Sequence, residues 1–159
     1  TGVRMTTTTV KPLSPMQQKL LKMVLKPASY VNTWLYRTSG GKLGGTAARA
    51  PVMLLITTGR KSGQPRTAPL LYLEDGEDIV VVASQGGMSE DPLWFKNLEA
   101  NPAAEIEIGK EKRKVGARRA TDEEKATLWP KVTGLYSGFD LYQARTERNI
   151  PVVILSPTE

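Results

Sequence analysis

Two apolar runs separated by a short polar turn constrain this chain more than any other feature. LITT at 55–58 and APLLYL at 68–73 flank GRKSGQPR at 59–66. A parallel crossover needs a dozen or more residues, so the two runs must be antiparallel neighbours joined by a turn. The turn is itself informative. Arg60, Lys61 and Arg66 stand beside Ser62, Gly59 and Gly63, so side-chain charge and exposed backbone N–H groups can converge on one anion, a phosphate or a carboxylate.

Further strand pairs follow the same logic. EDGED at 74–78 carries Asp75-Gly76, a hairpin signal, ahead of the β-branched run IVVVASQGG. AEIEIG and EKRKVGARRA read as another hairpin with one buried and one charged face, and IPVVILSP closes the chain as a strand. That makes about six antiparallel strands without β-α-β alternation, which excludes a doubly wound nucleotide fold. A mainly β, α+β architecture is expected: a small antiparallel barrel with about four peripheral helices. The 159 residues suit one domain over 14–159, and the Thr-rich start, 1–13, is read as disordered.

The helices announce themselves by their caps. Ser14, Pro15 and Gln17 form a capping-box start for the basic amphipathic run MQQKLLKMVLK; Pro27 should interrupt it before a second piece, YVNTWLYR. Two readings of this pair stay open. Leu20, Val24, Trp34 and Leu35 cover the core, or the Lys-rich face with Trp and Leu lies on anionic lipid. SGGKLGG is not a phosphate-binding P-loop, since Leu43 stands where Ser or Thr is required. Asp91 is expected to cap a short helix with Pro92 at its first position, and Thr121 with Glu124 to cap DEEKATLWPKV, which Pro130 kinks or ends.

The chain has no His and no Cys, which removes imidazole and thiolate chemistry, zinc fingers and a Ser-His-Asp triad. Any chemistry rests on hydroxyls, carboxylates, cations, backbone amides or a borrowed cofactor. No long apolar run and no signal-peptide pattern stands in the sequence, so a cytoplasmic setting is expected. The net charge of +6 admits nucleic acid, an anionic membrane or an acidic small molecule as partner.

GRKSGQPRTAP, VVASQGG and DPLWFKNLEANP are best read together. Ser84 and the amides of Gln85 to Gly87 can bond a heteroaromatic ring while Arg60, Lys61 and Arg66 hold its anionic tail and Trp94 walls the cleft. With LLITTGRKSGQPRTAPLLYL, VVVASQGG, DPLWFKNLEANP and ATDEEKATLWPKV, the chain resembles the deazaflavin-dependent nitroreductase and F420H2-dependent quinone reductase family of actinobacteria. The likeness runs from about Val31 to Pro157.

The resemblance implies a split β-barrel binding coenzyme F420. By motif, Arg60, Lys61, Ser62, Gly63 and Arg66 would take the phosphate and oligoglutamate tail, Thr67 and Pro69 would continue the wall, and Lys42 would reach the glutamates. Ser84, Gln85, Gly86 and Gly87 would line the deazaflavin, with Pro92, Trp94 and Asn97 completing the pocket. An acidic tail needs a compact basic cluster, whereas nucleic acid needs a long stripe, so nucleic acid is not expected.

By the same resemblance, the reduced coenzyme donates a hydride to a flat electrophile: a menaquinone-like quinone, a nitroaromatic or an enone. Tyr136, Phe139 and Tyr142 recur every three residues and, on a helix, would form one aromatic face, either for that acceptor or for packing. Tyr136, Tyr142 and Ser84 are the expected catalytic groups, and Leu71 joins the three aromatics as the expected acceptor contacts. Gln85 stands where members often have Lys, and Leu71 where nitroimidazole-reducing members can have Tyr. An FMN-binding oxidoreductase on the same barrel, a non-enzymatic F420 carrier and a basic binding module are the alternatives. Contact of the first helix with the inner face of the membrane, and a homodimer, are further expectations.

Overall fold

The computed structural model describes residues 10–47 and 50–158. Most of the expected disordered start, residues 1–9, lies outside them, and residues 10–13 are irregular. Helix α1 (Pro15–Ser39) comes first, then strands β1 (Thr46–Ala47), β2 (Ala50–Thr58), β3 (Pro65–Leu71), β4 (Leu73–Asp75) and β5 (Asp78–Val82). A single 3₁₀ turn, Gln85–Gly87, leads to α2 (Leu93–Ala100), the hairpin β6 (Ala103–Ile108) and β7 (Glu111–Arg119), α3 (Asp122–Leu135), α4 (Gly138–Arg145) and β8 (Val152–Pro157).

All eight strands belong to one sheet in the order β1-β2-β6-β7-β8-β5-β4, with β3 on the other side of β2, and every pairing is antiparallel. The sheet curls into a split β-barrel. Alternation drives this closure, because both faces of the central strands are apolar and both need cover. Ile79, Val81, Val153 and Leu155 turn inward onto Met53, Leu55, Ile106 and Phe95 of α2. Their sequence neighbours Val80, Val82, Val152 and Ile154 turn outward and are covered by Leu128 and Val132 of α3 and Phe139 of α4.

The strand count exceeds the expected six for two local reasons. The run RTAPLLYLE breaks at Tyr72, so β3 stays with β2 while β4 crosses to β5, and β1 is a two-residue strand laid on the start of β2. Continued residue by residue, the Leu73↔Val80 register would set Leu71 against Val82 and Pro69 against Ser84; the β4–β5 pairing ends at Leu73. Among the described residues β3 and β5 share no ladder, so the sheet is split between them.

Helix α1 corrects two expectations. Pro27 does not divide it, because an exposed proline forfeits one i→i−4 bond and leaves the rest of a long helix intact. Nor do three of the four residues read as core cover serve as such: Leu20 is 56% exposed, Val24 64% and Trp34 64%, while Leu35 is half-buried and Tyr36 is the helix's buried residue. The helix is held at its ends. The Tyr36 hydroxyl accepts from Gly109 N–H (2.6 Å) and donates to the Glu107 carbonyl (3.2 Å). At the other end Lys22 pairs with Glu90 (3.3 Å) and Gln18 Oε1 accepts from Ser89. Helix α3 likewise runs through Pro130 to Leu135.

Candidate active site

The basic turn is a rigid six-residue loop between β2 and β3, which pair up to Thr58↔Pro65. Gly59 N–H donates to the Gln64 carbonyl and Gly63 N–H to that of Gly59, each at 2.8 Å, and Gly63 takes the left-handed φ of +70° that this closure requires. Ser62 Oγ accepts from Gln64 N–H (3.2 Å) and from an Arg66 Nη2 (3.3 Å), so the serine orients the arginine. Arg60, Lys61 and Arg66 are exposed, and among the described residues none of them takes part in an ion pair. Three cations without an ion-pair partner on one loop could receive an anion without an internal competitor.

Asn97 fixes the loop from behind. Its Oδ1 accepts from Arg60 N–H (3.1 Å) and its Nδ2 donates to Thr57 Oγ1 (3.1 Å), with Asn97 and Thr57 both buried. Asn97 therefore supports the turn from below rather than lining a cavity. Trp94 is half-buried against the inner core, edge-on to Phe95 at 6.3 Å between ring centroids. Pro92 is buried and is itself the N-cap of α2, one residue later than expected, because Asp91 is drawn away to Arg148.

From Arg66 the wall runs along β3. Thr67 Oγ1 accepts from Arg37 Nη2 (3.3 Å), and Arg37 also pairs with Glu107 (3.3 Å), which ties α1 to this wall. Pro69 lies three residues, roughly 10 Å of strand, from Arg66. Lys42 is not brought to the same place. Its glycine loop packs at the start of β2, where Val52 N–H donates to the Gly45 carbonyl, whereas the basic turn leaves the end of this nine-residue strand, about 25 Å away.

Across the split in the sheet stands the Ser84–Gly87 turn. Gln85, Gly86 and Gly87 all take left-handed φ (43°, 64° and 77°), uncommon for the non-glycine member. Gly87 is required by contact as well as by dihedral, since a Cβ there would sit 2.7 Å from the Tyr142 carbonyl oxygen. Its N–H is taken by the Ser84 carbonyl at 2.9 Å. With its side-chain amide turned so that the nitrogen faces its acceptor neighbours, Gln85 donates to the Glu90 carbonyl at 2.9 Å, in the segment that follows the turn. The Ser84 hydroxyl enters no hydrogen bond among the described residues.

The residue that holds this turn, Arg148, carries no signal in the sequence; it is one arginine in a polar ARTERN stretch. Its guanidinium donates to the carbonyls of Ala83 (3.2 Å), Ser84 (2.8 Å) and Met88 (2.8 Å) and to the Asp91 carboxylate (2.8 Å). Burial pulls its pKa down, and Asp91 opposes that shift.

Tyr136, Phe139 and Tyr142 do converge, with ring centroids 5.1 to 6.3 Å apart, but not as one helical face. Tyr136 caps α3, while Phe139 and Tyr142 ride on α4. Phe139 is 5% exposed and packs in the outer core, so packing accounts for it. Leu71 joins the same cluster from β3. The Tyr136 and Tyr142 hydroxyls lie 2.9 Å apart. Burial first, then the bond to Tyr136 and its charge, push the Tyr142 phenol up to about 12, against the opposing charge of Arg145. Tyr142 is thus neutral at ordinary pH, and either hydroxyl of the pair can be the donor.

The donor set fits a long anionic redox cofactor, with free cations at one end of a β3 wall and a backbone turn beside two phenols at the other. Residues 29–157 match the family model described as F420H(2)-dependent quinone reductase. A Mycobacterium tuberculosis protein whose name places it among these quinone reductases is 47% identical over 107 residues, covering 67% of this chain and 90% of its own length. The solved structure of an F420-H2 dependent reductase, FDR-A, superposes with a TM-score of 0.62 at 36% identity, over 67% of this chain and 94% of that one. A second structure, described as a domain-swapped dimer, gives 0.64 at 32% identity, over 82% and 100%. The chain therefore belongs to the F420H(2)-dependent quinone reductase family: it is an oxidoreductase whose cofactor is reduced coenzyme F420.

Proposed function

We propose that this protein reduces a menaquinone-like quinone in the cleft between β3, the Ser84–Gly87 turn and α4. The observation that carries the reading is the pairing of an unneutralised basic loop at one end of β3 with a 2.9 Å phenol pair near the other. Arg60, Lys61, Ser62, Gly63 and Arg66 would hold the phosphate and acidic tail, and Thr67 and Pro69 the linking segment. Ser84, Gly86 and Gly87 would back the ring, with Pro92, Trp94 and Asn97 supporting from beneath. When bound, the reduced coenzyme supplies the hydride. Tyr142, with Tyr136 behind it, donates a hydrogen bond or a proton to the quinone oxygen on which charge develops, and the Ser84 hydroxyl is a second donor. Nitroaromatics and enones are flat electrophiles of the same kind and belong in the same assay.

Titration with oxidised F420 and, separately, with FMN tests the reading by fluorescence. Saturable binding of F420 alone, followed by reoxidation of the reduced coenzyme only when protein and menadione are both present, is the expected result. Tight FMN binding with no F420 response would overturn it, and F420 binding without accelerated reoxidation would leave a carrier.

Helix α1 supports a membrane-side approach of the quinone. Met16, Leu20, Met23, Val24, Val31 and Trp34 form an exposed stripe beside Lys19, Lys22 and Lys26, a composition suited to anionic lipid. No described helix is long and apolar enough to cross a membrane. Flotation with phosphatidylglycerol vesicles should carry the full chain and leave a chain lacking residues 1–30 behind. A concentration-dependent dimer of the full chain without flotation would assign the stripe to a second copy instead, in keeping with the dimeric neighbour.

A further inference from the structure

The Ser84–Gly87 turn has a conformation that its own sequence does not explain. Three successive residues occupy left-handed φ, one of them Gln85, and such backbone persists only where surrounding contacts over-determine it. Most of the side-chain hydrogen bonds that reach this segment from elsewhere come from one residue. Arg148 takes the Ala83 carbonyl before the turn, the Ser84 carbonyl at its start and the Met88 carbonyl after it, while its second bond through Nη1 reaches Asp91 at the entry to α2. Four donor contacts within 3.2 Å spend most of the guanidinium fork, and the side chain is 15% exposed. A lysine has three donors radiating from one atom and cannot span both stems of the turn.

Arg148 also stands just beyond α4, three residues after Arg145, whose Nη1 donates to the Gly86 carbonyl (3.4 Å). Gly87 is pressed on the backbone of Tyr142. The turn and the phenol are therefore packed into one unit, with Arg148 as its fastening.

We infer that Arg148 is the positioning residue of the active site: it holds the Ser84–Gly87 turn in its left-handed form and fixes that turn against Tyr142, so that cofactor affinity depends on a side chain that does not touch the cofactor. This rests on the reading of the turn as the support of the deazaflavin ring. With Arg148 replaced, the Ala83, Ser84 and Met88 carbonyls lose their shared donor and turn toward water, and the turn relaxes away from its strained form.

The test uses the full chain as wild type, Arg148→Met, Arg148→Lys and Asp91→Asn. Two readouts are taken: binding of oxidised F420 by fluorescence, and amide hydrogen exchange of the protein alone. Arg148→Met should weaken F420 binding by tenfold or more and speed exchange at the hydrogen-bonded amides of Gly87 and Met88 by a similar factor, with β2, β3 and β8 unchanged. Arg148→Lys should lie close to Arg148→Met, and Asp91→Asn close to wild type, since it leaves all three carbonyl bonds in place. Should Arg148→Met fail to fold, the Lys and Asn variants carry the comparison. Faster exchange at the turn with unaltered F420 affinity would overturn the inference, as would unchanged exchange in both Arg148 variants or exchange raised evenly through the barrel. Failure of the wild type to bind F420 would instead strike at the cofactor reading, and the exchange data would still report whether Arg148 holds the turn.

Discussion

Single residues in this protein differ sharply in what they tolerate. Gly63 and Gly87 share a left-handed φ, but a methyl group at Gly63 meets nothing within 4 Å, whereas at Gly87 it meets the Tyr142 carbonyl at 2.7 Å. Gly63→Ala should cost about 1 kcal/mol, the backbone penalty alone. Gly87→Ala should cost about 3 kcal/mol, because overpacking adds to that penalty, and urea unfolding separates the two. Asn97→Ala leaves Thr57 and the Arg60 N–H without their partner; about 1–3 kcal/mol of stability should go with it, accompanied by weaker F420 binding as the basic turn loosens. Tyr142 gives a pH signature. Its folded pKa of about 12 exceeds the ordinary value of 10.0, so its stabilising contribution is complete below pH 10 and is lost as pH rises through 12. Denaturant melts of wild type should decline over that interval, and Tyr142→Phe should remove part of the decline.

At the scale of elements, ends matter more than middles. Helix α3 begins with a reciprocal box: Glu124 N–H donates to Thr121 Oγ1 (3.2 Å) and Thr121 N–H to Glu124 Oε1 (3.1 Å). Arg118 of β7 adds two bonds to the same carboxylate, at 2.7 and 2.8 Å. Thr121→Ala should cost about 1 kcal/mol. The Arg118 bonds, with the Thr121 backbone bond next, lower the Glu124 carboxyl from 4.5 to about 2. A depressed carboxyl contributes above its unfolded pKa, so the contribution is present above pH 4.5 and fades as pH falls toward 2. Glu124→Gln should flatten that acid limb in thermal melts. The box was legible in the sequence because its partners are three residues apart; the clamp from Arg118 was not, because it crosses between elements.

For the whole molecule, the barrel and the N-terminal half of α1 should be separable in energy, since residues 15–30 bury no side chain fully. The C-terminal end of the helix contributes the buried Tyr36 and the partly buried Arg37–Glu107 pair, whereas its N-terminal half is held by exposed bonds from Gln18 and Lys22. Removal of residues 1–30 should therefore leave the thermal midpoint of the barrel within a few degrees of wild type while abolishing vesicle flotation. A collapse of the midpoint would show that the exposed stripe is covered in solution.

Sequence alone determined whatever depends on near neighbours or alternation. The β2–β3 hairpin and its basic turn, the Asp75-Gly76 turn, the caps at Ser14 and Thr121 and the antiparallel class all follow from spacing, and the family resemblance named the cofactor. Only the tertiary structure decided the rest. It split the second strand at Tyr72, left β3 and β5 without a shared ladder, left the apolar stripe of α1 exposed and set the Lys42 loop at the start of β2. It also assigned the Ser84–Gly87 turn to Arg148, some 60 residues on. The reason is physical: periodicity and capping act over one or two turns of chain, whereas a guanidinium that satisfies carbonyls on two stems leaves no local pattern for a sequence to show.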